Sequence, residues 1–153
     1  SVATTTANIT KCDITVSATG VEKVYDGAVT ATVTLSDNRV TGDILTTAYT
    51  TASFTNKNVG TGITINVSGI SISGTDSGNY NLTNTTATSS ANITAKHITG
   101  TFTANNKIYD GNTSATVLTR ALVGAITGDT VTLTAGTATF ANKNVGTGKI
   151  NPY

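Results

Sequence analysis

The chain repeats itself in tandem, and this repetition constrains its fold more than any other feature of the sequence. Residues 54–62, Phe-Thr-Asn-Lys-Asn-Val-Gly-Thr-Gly, return with one change as residues 140–148. Residues 23–27, Lys-Val-Tyr-Asp-Gly, return as residues 107–111 with Ile in place of Val. The first pair of runs is 86 residues apart and the second pair is 84 residues apart. A repeat of this length is too long for a solenoid unit and fits a small autonomous domain.

These offsets divide the chain into three predicted segments. Residues 11–94 are the first complete β-sandwich repeat, and residues 95–153 are a second repeat, truncated at its C-terminal end. Residues 1–10 match residues 85–94, so we expect them to be the closing strand of a preceding repeat. Almost no linker separates the two repeats, which predicts a stiff array rather than modules on a flexible tether.

The alternation of Thr with apolar residues predicts β-strands. Thr supplies 36 of the 153 residues, and it is a β-branched residue that favours strands. Residues 29–36 alternate strictly, with Val29, Ala31, Val33 and Leu35 on one face. A period of two is typical of a half-buried strand. No segment has a useful length of helical periodicity, so the sequence predicts an all-β fold with a hydroxyl-rich surface.

Residues 76–82, Asp-Ser-Gly-Asn-Tyr-Asn-Leu, add a signature of the fold. They resemble the Asp-x-Gly-x-Tyr-x-Cys run of immunoglobulin-like domains, in which the Tyr hydroxyl bonds to upstream backbone at a corner. We therefore expect structural roles for Asp76, Gly78 and Tyr80. With about seven short strands per repeat, the predicted fold is a tandem array of immunoglobulin-like antiparallel β-sandwich modules. The core candidates are apolar residues of the predicted strands: Ile14, Val29, Val33, Leu35, Phe54, Ile63, Ile65, Ile72 and Leu82.

Several motifs in fixed order together resemble the YDG/MBG-type repeats. They are the Lys-x-Tyr-Asp-Gly marker, the Asn-Lys-Asn-Val-Gly-Thr-Gly run, residues 74–82 and the closing Ala-Asn-Ile-Thr. Such repeats form long arrays in very large bacterial surface proteins, including filamentous-haemagglutinin-like adhesins. The resemblance implies a secreted, extracellular β-sandwich repeat on the bacterial cell surface that acts as a stalk or filament body. Asp-Gly after a strand is a turn signal, and the markers add six structural residues: Tyr25, Asp26, Gly27, Tyr109, Asp110 and Gly111.

No reaction chemistry is visible, and we predict no catalytic residue, no cofactor and no metal site. Residues 146–149 end like a phosphate-binding loop, but Lys143 and Ile150 stand where that motif needs Gly and Ser/Thr. Nucleophilic catalysis needs a base beside the nucleophile, whereas His97 is the sole histidine and has Asp13 as its counterpart. Cys12 is the only cysteine, so an intrachain disulfide is impossible.

Charge and hydropathy exclude two classes of partner. The net charge is +1 and the basic residues are scattered singly, so no basic stripe is available for a nucleic-acid backbone. No apolar run approaches the roughly 20 residues that a membrane-spanning helix needs.

Repetition and near-absent linkers favour a structural spacer whose partners are the neighbouring repeats of an array. One alternative is an adhesive module that binds a surface ligand, such as a glycan, a host protein or ice, through its Thr-rich faces. Another is a subunit that polymerises into an extracellular filament by exchanging strands with another copy of itself.

Overall fold

The computed structural model of the chain describes residues 4–134 and 136–151, with the side chains of all but the last two of these. The chain forms two compact units, Ser1–Ala95 and Lys96–Tyr153. Strands build both units, and the described residues contain no α-helix. The prediction of an all-β fold is thereby confirmed.

Among its described residues, the first unit holds ten strands and one short 3-10 helix, Ser77–Asn79. The strands, in chain order, are β1 (Cys12–Ile14), β2 (Val16–Gly20), β3 (Lys23–Val24), β4 (Val33–Asp37), β5 (Thr46–Ala48), β6 (Thr51–Phe54), β7 (Gly60–Ser68), β8 (Ser71–Ser73), β9 (Tyr80–Leu82) and β10 (Thr86–Thr94). The largest sheet has the order β3-β10-β7-β6, and three further pairs are β1-β9, β2-β4 and β5-β8.

The described part of the second unit holds five strands: β11 (Thr99–Ala104), β12 (Ser114–Ala115), β13 (Val117–Val123), β14 (Ala138–Phe140) and β15 (Ile150–Asn151). They form the pair β11-β13 and a three-stranded sheet in the order β12-β14-β15. The β12-β14 pairing reproduces the single bridge between Thr30 and Ser53 of the first unit.

Two ladders of the first unit are parallel, and at these ladders the prediction of antiparallel pairing is wrong. β1 runs parallel to β9, and β3 runs parallel to β10, whereas β7 pairs antiparallel with both β10 and β6. Parallel partners need a long crossover between them, and here most of the unit separates the paired segments. Each of these ladders joins the beginning of the unit to its end.

The core of the first unit draws residues from two sheets. Val16 and Val33 of the β2-β4 pair pack with Phe54, Ile65 and Ile93 of the four-stranded sheet. Full burial of such a side chain contributes about 1.5–3 kcal/mol. A smaller cluster contains Ile14, Leu45 and Tyr80.

Most of the predicted core residues lie in these clusters, with one exception. Ile14, Val33, Phe54 and Ile65 are buried. The half-buried members packed against them are Leu35, Ile63, Ile72 and Leu82. The prediction for Val29 is wrong, because β4 begins only at Val33 and the Val29 side chain is exposed.

The offset between the two repeats grows from 84 to 86 residues, so the second repeat contains two extra residues. The structure locates one of them. The β11-β13 ladder pairs Ala104 with Val117 and Thr103 with Thr119, so Leu118 has no opposite residue. This is the geometry of a β-bulge. The other extra residue lies between Val123 and Gly128.

Two segments form no strand in the part of the chain that the structure describes. Residues 4–10 are exposed and unpaired with any strand, so their predicted role as the closing strand of a preceding repeat stays a prediction. Residues 131–134 correspond to the region of β5, whose only partner is β8.

Candidate functional site

The two repeated motifs meet at the ammonium group of Lys23. Its Nζ atom donates to Asp26 Oδ1 at 2.7 Å and to the carbonyls of Ala28 and Thr30 at 2.8 and 2.9 Å. It also lies 5.6 Å from the ring centre of Phe54, within the range of a cation–π contact. The Lys-x-Tyr-Asp-Gly marker therefore supplies a cation, and the Phe-containing run supplies an aromatic ring that contacts it. We call this group of contacts around the ammonium, made by Asp26, Ala28, Thr30 and Phe54, the lysine cage.

A tight turn shapes this lysine cage. The Ala28 N–H donates to Asp26 Oδ1 at 2.9 Å, and Gly27 between them has a φ of 79°. This backbone conformation favours glycine. The hydrogen bond from Lys23, followed by that from Ala28, lowers the pKa of Asp26. The hydrogen bonds to Asp26 and the positive φ of Gly27 give a physical reason for the structural roles predicted for these two residues.

The second unit rebuilds the same cage. Lys107 Nζ donates to Asp110 Oδ1 at 2.7 Å and to the Ser114 carbonyl at 3.1 Å. Asn112 accepts through Oδ1 at 2.7 Å, and the Phe140 ring centre lies at 5.6 Å. The hydrogen bond from Lys107 lowers the pKa of Asp110. Gly111 has a φ of 82°, so the turn recurs as well.

The two tyrosines of the marker have different surroundings. Tyr25 is half-buried against the larger core cluster, and its N–H donates to the Thr94 carbonyl at 2.8 Å. Tyr109 is 60% exposed. In the first unit, the bond to Thr94 joins Tyr25 to the last residue of β10.

The hydroxyl of Tyr80 stabilises the loop between β4 and β5 through two hydrogen bonds. Its hydroxyl donates to Asp43 Oδ2 at 2.5 Å and accepts from the Val40 N–H at 2.9 Å. The bond to Asp43, together with burial, raises the pKa of Tyr80. The predicted corner placed this hydroxyl on upstream backbone, and the backbone that it contacts lies 40 residues upstream.

The other residues of the 76–82 signature have unequal contacts. Asp76 Oδ2 accepts from the Ile44 N–H at 2.7 Å, so it holds the same loop as Tyr80. Gly78 lies in the 3-10 helix without a positive φ, and a Cβ there would meet nothing within 4 Å.

An ion pair that sequence reasoning missed also holds this loop. Arg39 donates through Nε and Nη2 to the two carboxylate oxygens of Asp37, and through Nη1 to the Leu45 carbonyl at 2.5 Å. The Asp37 side chain is 3% exposed, and the hydrogen bonds from Arg39 lower its pKa. Asp and Arg two residues apart are not a recognised motif, and no signal in the sequence identified the pair.

The beginning and the end of the first unit run side by side in the same direction. Residues 12–24 lie along residues 80–94, and we call this pairing the terminal seam. Its ladders are β1-β9 at one end and β3-β10 at the other. Between them, Asn84 accepts from the Val16 N–H through Oδ1 and donates to the Val16 carbonyl through Nδ2, both at 2.9 Å. The Asn84 side chain thus takes the place of a backbone bridge where the ladders are interrupted.

Short polar side chains continue the terminal seam along its length. The Gly20 N–H donates to Ser89 Oγ at 2.8 Å. The bonds from the end segment to the beginning are Thr83 Oγ1 to the Ile14 carbonyl at 3.1 Å, Asn81 Nδ2 to Asp13 Oδ1 at 2.8 Å, Asn92 Nδ2 to Glu22 Oε1 at 2.5 Å, and Thr94 Oγ1 to the Lys23 carbonyl at 3.3 Å. Hydroxyl and amide side chains therefore bond the two segments to each other along the terminal seam.

Gly20 permits the close approach of the two segments. A Cβ at this position would lie 2.6 Å from the Ser90 carbonyl oxygen and 2.7 Å from Ile65 Cδ1. Atoms cannot approach so closely without displacement of the backbone. Glycine at position 20 is therefore required by space rather than by an unusual φ.

The repeated Asn-Lys-Asn-Val turn is exposed in both units. Asn56 Oδ1 accepts from the Asn58 N–H at 2.9 Å, and Asn142 Oδ1 accepts from the Asn144 N–H at 3.1 Å. These Asx turns carry the chain from one strand towards the next. Lys57 lies on the surface of this turn.

The described residues show no arrangement that marks reaction chemistry. They contain no group of three or more His, Cys, Asp and Glu side chains that could hold a metal ion. Cys12 is exposed with a free thiol, and His97 is exposed. The described part of the chain also has no helix that is long and apolar enough to cross a membrane.

Comparison with known families gives one match, made twice along the chain. The family described as YDG domain matches residues 5–89 and again residues 94–150. Together these two ranges cover most of the chain. No curated protein and no solved structure matches the chain significantly.

Proposed function

Because the chain belongs to the YDG domain family, we propose that it is a non-catalytic spacer in the stalk or filament body of a bacterial cell-surface adhesin. In this proposal the protein is extracellular and its partners are neighbouring repeats. Its role is to keep the array of repeats extended under tension. The terminal seam of the first unit is the observation that carries the proposal.

The terminal seam places the two ends of the unit far apart. Cys12 pairs with Tyr80 at one end, and Val24 pairs with Thr94 at the other. At about 3.3 Å per residue, the 80–94 segment spans roughly 45 Å if it is extended throughout. The chain therefore enters and leaves at opposite ends, as a spacer requires.

The direction of pairing determines how the seam responds to tension. Pulling outward on both ends slides two parallel segments past each other, because each end belongs to a different segment. All the bonds across the seam are then loaded together, whereas a peeled strand loses its bonds one at a time. The first unit accordingly resists extension along the axis on which an array would be pulled.

The proposal includes the architecture of tandem immunoglobulin-like sandwich modules. It is supported by the core of the first unit, which combines inward-facing residues of β2 and β4 with those of β6, β7 and β10. It is also supported by the lysine cage, which is built from corresponding residues in both units.

Single-molecule pulling tests the function in two geometries. One variant carries handles at the native Cys12 and at Ala95→Cys, so that force shears the terminal seam. The control combines Lys57→Cys and Ala95→Cys with Cys12→Ser. Its handles lie at the same end of the unit, since Gly60 pairs with Ile93, and force then peels β10.

We expect a several-fold higher unfolding force in the shear geometry than in the peeling geometry. Asn84→Ala should lower the first force and leave the second nearly unchanged. Equal forces in the two geometries would contradict the proposal. Arrays of increasing copy number should also lengthen linearly in small-angle X-ray scattering.

A further inference from the structure

The chain contains two Asp-Gly pairs, and each lies in the lysine cage of its unit. They are Asp26-Gly27 and Asp110-Gly111. The peptide chain rearranges most readily where Asp or Asn precedes Gly, because glycine has no side chain to hinder attack by its nitrogen. None of the 15 Asn residues of the chain precedes Gly, Ala or Ser. The most labile pairs of the sequence are therefore found only where a cage surrounds them.

The rearrangement is a reaction of the aspartate carboxyl group with the next backbone nitrogen. The nitrogen of Gly27 would attack Cγ of Asp26, and the amide proton and a carboxyl oxygen would leave as water, which closes a five-membered succinimide ring. Solvent water then opens the ring at either carbonyl. One product is the original aspartate. The other is isoaspartate, in which the main chain runs through Cβ and is one carbon longer.

The contacts of Asp26 oppose this reaction. Its Oδ1 atom accepts from Lys23 Nζ at 2.7 Å and from the Ala28 N–H at 2.9 Å. These two bonds restrict the rotation of the carboxyl group, and they stabilise the ionised form, which is a poor electrophile, by lowering its pKa. The Asp26 side chain is 50% exposed. Hydrogen bonding, rather than burial, therefore restrains this carboxylate.

The contacts of Asp110 follow the same scheme with different donors. Its Oδ1 atom accepts from Lys107 Nζ at 2.7 Å and from the Asn112 N–H at 3.1 Å. Its Oδ2 atom accepts from Asn112 Nδ2 at 2.9 Å. The Asp110 side chain is 48% exposed, nearly the same as Asp26. Both units thus restrain an exposed carboxylate with a lysine and a turn amide.

We propose that the lysine cage protects each Asp-Gly pair from conversion to isoaspartate. The turn needs glycine for its positive φ, and the cage allows glycine to follow aspartate without loss of the chemical integrity of the chain. Isoaspartate at position 26 would lengthen the main chain beside β3 and withdraw the carboxylate from Lys23. The proposal is independent of the spacer function, because the chemical lifetime of the turn does not depend on how the chain is loaded.

Peptide mapping of the full chain after several weeks at neutral pH measures the conversion. Electron-transfer fragmentation distinguishes isoaspartate from aspartate at each position. Lys23→Met should raise the isoaspartate fraction at position 26 several-fold and leave position 110 unchanged. Lys107→Met should have the reverse effect, so each unit is the reference for the other. Circular dichroism establishes that each variant is folded.

A matched control separates the cage from general stability. Tyr80→Phe destabilises the first unit through a contact outside the cage, since its hydroxyl bonds to Asp43 and Val40. Its isoaspartate fraction at position 26 should equal that of the unmodified chain. A synthetic peptide of residues 23–30, which has the sequence without the folded cage, should convert fastest.

Three results would overturn the proposal. One is an unchanged fraction at position 26 in folded Lys23→Met. Another is an equal rise in Lys23→Met and Tyr80→Phe, which would assign the protection to global stability. The third is conversion of the unmodified folded chain at the rate of the peptide.

Discussion

Replacing Lys23 by Met tests whether the lysine cage holds the first unit together. Methionine keeps an unbranched apolar stem but removes the ammonium group and its three hydrogen bonds. The Ala28 carbonyl is part-buried, so water cannot fully replace its bond, whereas the Thr30 carbonyl is exposed. The contact with the Phe54 ring is lost in the same step.

The expected loss follows from the contacts that water cannot replace. A hydrogen bond with a charged donor contributes about 1.5–3 kcal/mol, and this applies to the bond that Ala28 accepts. The cation–π contact contributes about 0.5–1 kcal/mol. Together these give a loss of about 2–4 kcal/mol for Lys23→Met, with nothing added for the exposed Thr30 carbonyl.

Urea unfolding measures this loss, and the chain supplies a matched control. With an m value of about 1–2 kcal/mol/M, the midpoint for the first unit should fall by about 1–4 M. Near-ultraviolet circular dichroism of the buried Tyr80 reports on that unit. Lys57→Met removes the same charge from the exposed turn and should change stability by less than about 0.5 kcal/mol. Equal shifts in the two variants would refute a structural role for the cage.

Three further substitutions test other contacts of the first unit. Tyr80→Phe leaves the Val40 N–H without its acceptor and should lower the free energy of unfolding in urea by about 1–3 kcal/mol. Tyr49→Phe removes the same hydroxyl from a half-buried tyrosine and should cost less. Equal losses of stability in the two variants would contradict a role for the Tyr80 contact. Gly20→Ala should cost about 1–3 kcal/mol through overpacking, whereas Gly78→Ala, with open space around it, should be nearly neutral. The lowered pKa of Asp37 contributes stability above its unfolded value of about 3.9, and this is lost as pH falls through the folded value. The melting-temperature difference between the unmodified chain and Asp37→Asn should therefore shrink below about pH 4, and a constant difference would contradict this.

Local patterns in the sequence predicted the local structure. The alternation over residues 31–35 appears in the burial of Ala31, Val33 and Leu35, because each strand residue faces the side opposite to its neighbour. The Asp-Gly pairs lie in turns with glycine at positive φ. Val29 was misassigned because alternation does not show where a strand ends and a connecting segment begins.

Pairing direction could not be predicted from the sequence. β1 and β9 are 68 residues apart in the chain, and no local pattern distinguishes a parallel from an antiparallel partner at that distance. The lysine cage could not be predicted for the same reason, because Phe54 and Lys23 belong to separate motifs. Their joint recurrence in both copies was the available signal, and only the structure shows that the two motifs touch.

The terminal seam shows a use for the short polar side chains in which the sequence is rich. With a single cysteine, the chain cannot close an internal disulfide, so hydrogen bonds and the packing of apolar residues such as Val16 and Ile93 hold the two ends of the unit. Ser, Thr and Asn can each both donate and accept, and they lose less conformational entropy on ordering than Lys, Arg or Glu. Asn84 illustrates the advantage, because one short side chain satisfies both backbone groups of Val16. Short hydroxyl and amide side chains are therefore well suited to joining parallel segments along their length.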